Sequence, residues 1–173
     1  MKRFEHLVMA GAIALISGCG GAEVADQAPS TSSAADSAYL ASSEPANAMP
    51  VGEARAKASD GEELTLVGLI GGSTEPFVDG LAAFTVVDPE IPHCSTEEGC
   101  PTPWDYCCTQ DQVKDNIATV KVVDESGSPV SQTASDLLDV HELSTVVVQG
   151  VARRDDQGNL TVEANDIFVR SSK

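Results

Sequence analysis

The chain has 173 residues, only 4% of them aromatic, and carries 10 Lys and Arg against 27 Asp and Glu for a formal charge of −17. Phosphate backbones are bound through clustered cations, so this balance argues against a polynucleotide partner. The length suits one ordinary domain preceded by a leader and linker, and a domain of that size can bury a core without obligatory staples.

Residues 1–18 begin with Lys2 and Arg3, continue through an apolar run over 7–16, and end in Ser17 and Gly18 before Cys19. The apolar run is too short to span a bilayer and reads as a secretory signal. Its ending, Leu15-Ile16-Ser17-Gly18-Cys19, resembles the lipobox of bacterial lipoproteins. That resemblance implies cleavage before Cys19 and a diacylglycerol (with palmitate-type chains) on its sulfur, which anchors the protein to a membrane outside the cytoplasm; several acyl chains hold where one does not. Gly20, rather than an aspartate, resembles the pattern sorted to the outer membrane in many Gram-negative envelopes. Removing Lys2, Arg3 and Glu5 with the signal leaves 8 basic and 26 acidic residues, a formal charge of −18.

Residues 19–50 hold the lipidated cysteine and an Ala/Ser/Pro-rich stretch with no apolar period. Chains of this kind bury too little apolar surface to offset ordering entropy, so a disordered tether is expected. Residues 51–173 form the domain. Alternation of apolar residues predicts strands over 63–72 (Leu64, Leu66, Gly68 and Ile70 sharing a face), 81–88, 117–124, 144–153 and 159–170. The last two flank a tight connection at Asp155-Asp156-Gln157-Gly158, where Gly158 can supply a positive φ. Residues 133–143, with Leu137, Leu138, Val140 and Leu143, fit a short helix, Thr133 and Asp136 suiting its N-terminal cap and first turn and His141 its end.

This order, three strands, a helix and two strands, resembles the OB-fold: a mainly β, five-stranded Greek-key barrel with one short helix between the third and fourth strands. The resemblance is to exported OB-like and tRNA-anticodon-binding-type modules, which share Gly150-Val151-Ala152 and the ending Ala164-Asn165-Asp166-Ile167-Phe168-Val169. It implies that the first strand closes on the fourth, with Gly68 letting the first strand coil into both sheets. Nucleic-acid stacking, common in the fold, would need aromatics on the second and third strands, which offer only Phe84.

The departure from the fold is the connection over 89–116, long enough to be functional or separately stapled. It holds His93, Trp104, Tyr106 and four of the five cysteines, Cys94, Cys100, Cys107 and Cys108. An even set in an exported protein predicts two disulfides, with Cys94 and Cys100 each joined to one of Cys107 and Cys108. The alternative is a site where the four thiolates, with His93, take copper(I) or zinc, although the spacing lacks the C-x-x-C knuckle of structural zinc sites.

No nucleophile motif is present, and acidic pairs such as Glu97-Glu98 fall on apparent loops, so catalysis is not indicated and no cofactor is expected. Two functions remain. One is a non-enzymatic, membrane-anchored scaffold or binding module presenting Trp104 and Tyr106 to a protein or glycan partner. The other is a metal-binding envelope lipoprotein that uses the same loop.

Overall fold

The computed structural model describes residues 38–95, 97 and 99–171; the signal segment, Cys19 and the first part of the tether lie outside the described residues. In chain order the elements are β1 (Met49–Pro50), α1 (Val51–Lys57), β2 (Glu63–Ile70), β3 (Ala83–Val87), α2 (Gln110–Val113), β4 (Ile117–Val122), α3 (Ala134–Leu138), β5 (Thr145–Arg154) and β6 (Leu160–Val169). Strands β2 to β6 are the five expected from the alternation. Among the described residues no helix is long and apolar enough to cross a membrane.

The sheet runs β2-β3-β4-β6-β5 and closes through β2 against β5, with β4 and β6 parallel and the other barrel neighbours antiparallel. This is the OB-type Greek-key barrel. Period-2 alternation fills it: Leu64, Leu66 and Ile70 of β2, Ala118, Val120 and Val122 of β4, and Leu160, Val162 and Ala164 of β6 all point inward. Each such Val, Leu or Ile contributes about 1.5–3 kcal/mol by leaving water. β2 serves two neighbours, pairing with β5 from Glu63 to Leu69 and with β3 at Leu69 and Ile70. Gly68 permits this, since a Cβ there would stand 2.9 Å from Val86 Cβ and 3.0 Å from Val51 Cγ2.

Three expectations need correction. The helix is shorter than 133–143, because Asp139 turns left-handed at φ 52 and Leu143 follows at φ 62. Thr133 does not cap it through its side chain; its Oγ1 accepts the Gly80 N–H at 3.1 Å, and His141 falls in the turn beyond the helix. Residues 39–49, expected to belong to a disordered tether, are instead ordered against the barrel. Backbone bonds of 2.9 Å run from Ile167 N to Tyr39 O and from Ala41 N to Ile167 O, while Tyr39, Leu40 and Met49 pack on the core.

Helix α1 lies where the apolar pattern predicts no element. Val51 and Ala54 bury one side of it. Arg154, at the end of β5, donates to the carbonyls of Ala54, Arg55 and Ala58, completing the C-terminal turn whose carbonyls lack partners within the helix. The signal was weak because a seven-residue helix shows barely two turns of periodicity.

In the hairpin of β5 and β6, Gly158 takes φ 79 as expected, and Asp155 Oδ1 accepts the N–H groups of Gln157 and Asn159. At the bulge between Gln149 and Gly150, a Cβ on Gly150 would lie 2.2 Å from Glu163 O. Gly150→Ala must push the strands apart, and a loss of about 1–3 kcal/mol is expected. Urea unfolding monitored by far-UV dichroism measures it; an unchanged midpoint would contradict the close approach.

Candidate metal centre

The insertion leaves and rejoins the barrel at one point. Asp88 N–H donates to Asn116 O at 2.9 Å, extending the β3–β4 ladder by one rung. The Asp88 side chain is buried, with Oδ2 accepting the Gly52 N–H at 2.7 Å and Oδ1 the Glu90 N–H at 3.0 Å. A buried carboxylate is costly without such donors. It ties α1 to the neck of the insertion.

From that neck the loop folds back on a platform formed by Gly71 and Gly72. Gly72 N–H donates to Trp104 O at 2.8 Å, and a Cβ on Gly71 would stand 2.6 Å from the same oxygen and 3.1 Å from Tyr106 Cε2. Only glycine admits the loop here. Tyr106 is wholly buried against Val87 and Val113, flanked by Ile91 and Ile117, and takes a left-handed φ of 56 at the end of a short 3-10 helix, Pro103–Asp105. The expectation that Tyr106 faces a partner is therefore corrected: it anchors the loop. Trp104 is half-buried, its Nε1–H donating to Thr74 O at 3.1 Å.

The turn at Tyr106 brings the cysteines together. Cys107 Sγ lies 3.3 Å from Cys94 Sγ, 3.7 Å from Cys100 Sγ and 3.8 Å from Cys108 Sγ. Cys94 Sγ in turn interacts with the sulfurs of Cys108, Cys107 and Cys100. None of the four is joined in a disulfide: no pair stands near the 2.05 Å of an S–S bond. Cys94 is buried, Cys100 half-buried, and Cys107 and Cys108 exposed.

Charge is unevenly shared among them. The Cys94 thiol is pulled below its ordinary pKa, chiefly because the Cys108 backbone N–H donates to its sulfur, with the Cys108 thiol adding to it. Cys107 is pushed well above its own, because its thiol is engaged by the sulfur of Cys94 first, then by those of Cys100 and Cys108. The two shifts run in opposite directions, so Cys94 favours the thiolate more than Cys107 does.

Asp105 joins the cluster. One ligand atom from each of Cys94, Cys100, Asp105 and Cys107 fits within a mutual 4.8 Å. Its Oδ2 accepts from Thr102 Oγ1 at 2.8 Å and its Oδ1 from Cys107 N–H at 2.8 Å, and these bonds, Thr102 foremost, hold its carboxyl below the usual range. Asp105 is not among the residues expected from the sequence, yet an aspartate two residues before a cysteine has the spacing at which a carboxylate takes the i+2 N–H. His93 is not brought in. It is exposed, and its Nδ1 lies 3.0 Å from Cys94 O, an acceptor only, so Nδ1 is the protonated donor. His141 lies on another turn, its Nδ1 donating to Glu142 O at 2.7 Å.

No family model, curated protein or solved structure matches the chain. The OB-like assignment therefore stands on strand order and pairing alone.

Two substitutions check the anchoring. Tyr106 Oη is buried with no hydrogen-bond partner among the described residues, and burial, aided by the Asp88 charge, pushes its pKa up to about 12. Tyr106→Phe removes an unpaired polar atom and is expected to be neutral or stabilising, whereas Tyr106→Ala is expected to cost about 3–5 kcal/mol of loop docking by analogy with other aromatic truncations. Gly71→Ala is expected to release the loop, changing Trp104 fluorescence and admitting protease between residues 89 and 116 with the barrel's far-UV spectrum intact. A clear destabilisation by Tyr106→Phe, or a protease-resistant loop in Gly71→Ala, would contradict this geometry.

Proposed function

We propose that this protein is a non-enzymatic, lipid-anchored envelope protein whose OB-like barrel displays a thiolate metal site for zinc or copper(I). The observation that carries the reading is the convergence of three sulfurs on Cys107 at 3.3, 3.7 and 3.8 Å. Two disulfides would sort four sulfurs into two pairs. One ion would gather them into a single cluster: sulfurs about 2.3 Å from a tetrahedral zinc stand about 3.8 Å from one another. Soft thiolate donors select zinc and copper(I) over hard cations.

The scaffold reading, with bridges from Cys94 and Cys100 to Cys107 and Cys108, draws support from the short Cys94–Cys107 approach and from the oxidising compartment that the lipobox implies. With Tyr106 buried, its contact surface reduces to part of Trp104. The acidic balance keeps nucleic acid out of both readings.

Protein isolated from its native envelope decides between them. Metal analysis together with non-reducing intact mass, before and after alkylation, is expected to find about one equivalent of zinc or copper and cysteines that alkylate once the metal is chelated. Two closed bridges and no metal would overturn the metal reading in favour of the scaffold. The anchor has its own test: Cys19→Ser is expected to abolish lipid attachment and the associated cleavage, and a mutant still cleaved and membrane-bound at unchanged mass would refute the lipobox assignment.

A further inference from the structure

The side chains gathered on the insertion are not equivalent as ligands. One donor atom from each of Cys94, Cys100, Asp105 and Cys107 lies within 4.8 Å of the other three, and Cys108 stands outside that set. Cys108 contributes through its backbone, whose N–H donates to the Cys94 sulfur, while its own Sγ is 3.8 Å from Cys107 Sγ. The four donors that can share one ion are therefore three sulfurs and one oxygen.

The chain places Asp105 for that role. Tyr106, buried between Asp105 and Cys107, takes the left-handed φ of 56, and this turn carries the carboxylate and the thiol at i and i+2 into the same cluster. Thr102 Oγ1 holds Oδ2 at 2.8 Å and the Cys107 N–H holds Oδ1 at 2.8 Å. A carboxylate offers about four lone-pair positions, so these two bonds orient the group and still leave each oxygen able to bind an ion. Carboxylates that ligate metals are ordinarily fixed in this way by hydrogen bonds from behind.

The mixed set also chooses between the two ions left open above. Zinc takes thiolates at about 2.3 Å and carboxylate oxygen at about 2.0–2.2 Å in one four-coordinate shell. Copper(I) is selected by soft sulfur, whereas a carboxylate suits harder cations. Resting on the metal reading above, we infer that the centre is a zinc site whose fourth ligand is Asp105 and not Cys108.

The test uses the full chain in detergent, reduced and metal-free, titrated separately with zinc and with copper(I) against a chromophoric chelator of each ion. The wild type is expected to bind one zinc. Asp105→Asn keeps an oxygen to accept the Cys107 N–H and so preserves the turn. It is expected to weaken zinc by about tenfold or more, since even groups that only orient a ligand act on that scale, and to leave copper(I) affinity unchanged. Cys100→Ser is expected to weaken both ions. Cys108→Ser retains the backbone N–H to Cys94 and is expected to bind zinc as the wild type does. Wild-type zinc affinity in Asp105→Asn, an equal loss of both ions in that variant, or a Cys108→Ser defect as large as that of Cys100→Ser would overturn the assignment while leaving the protein a metal binder. A wild-type chain that binds copper(I) and not zinc would overturn it too. One that binds neither ion would instead remove the metal reading itself.

Discussion

The site depends on one packing event, the burial of the Tyr106 ring beside the bare backbone of Gly71 and Gly72. A buried tyrosine removes some 150–250 Å² from water. At about 25 cal/mol per Å² that is roughly 4–6 kcal/mol, less about 1–3 for its unpaired hydroxyl. The single backbone bond from Gly72 to Trp104 contributes about 1 kcal/mol, so the ring dominates the docking. Because Tyr106 precedes Cys107, its left-handed turn also fixes the direction in which Cys107 and Cys108 emerge. Packing therefore sets the geometry of the sulfurs before any ion or bridge acts on them.

Barrel and insertion bury two separate clusters, the second resting on Val87 of β3 and Ile117 of β4. The barrel has its own core, continuous through β2 to β6 with α1 and α3, and the small cluster around Tyr106 stands apart from it. Their junction is Asp88, whose backbone extends the ladder to Asn116 and whose carboxylate receives the start of α1. A perturbation of the loop can thus reach α1 through one buried side chain, while the strands stay registered by their own pairing.

Much of this arrangement was legible in the residues. Period-2 runs located all five barrel strands, and the helix between the third and fourth, with Gly68 in the first, gave the closure that β2 and β5 make. What escaped was set by tertiary contact. Short α1 is stabilised by Arg154, about a hundred residues away, and residues 39–41 are ordered by main-chain bonds to Ile167, neither of which leaves a local pattern. The Cys-rich stretch was recognisable as the chemical centre, but its aromatic residues read as display because unpaired aromatics in a loop carry no sign of which way they face. Gly71 and Gly72 look like a strand end. Only the approach of Trp104 O, too near for any side chain, reveals them as the floor of the site.

The central claim is that the cysteines surround one ion rather than divide into bridges. Zinc K-edge X-ray absorption on the zinc-loaded full chain measures this directly. The account predicts a first shell dominated by sulfur, three or four scatterers at about 2.3 Å with any remaining position taken by oxygen. A shell of nitrogen and oxygen near 2.0–2.1 Å, with the cysteines bridged in the same sample, would contradict it.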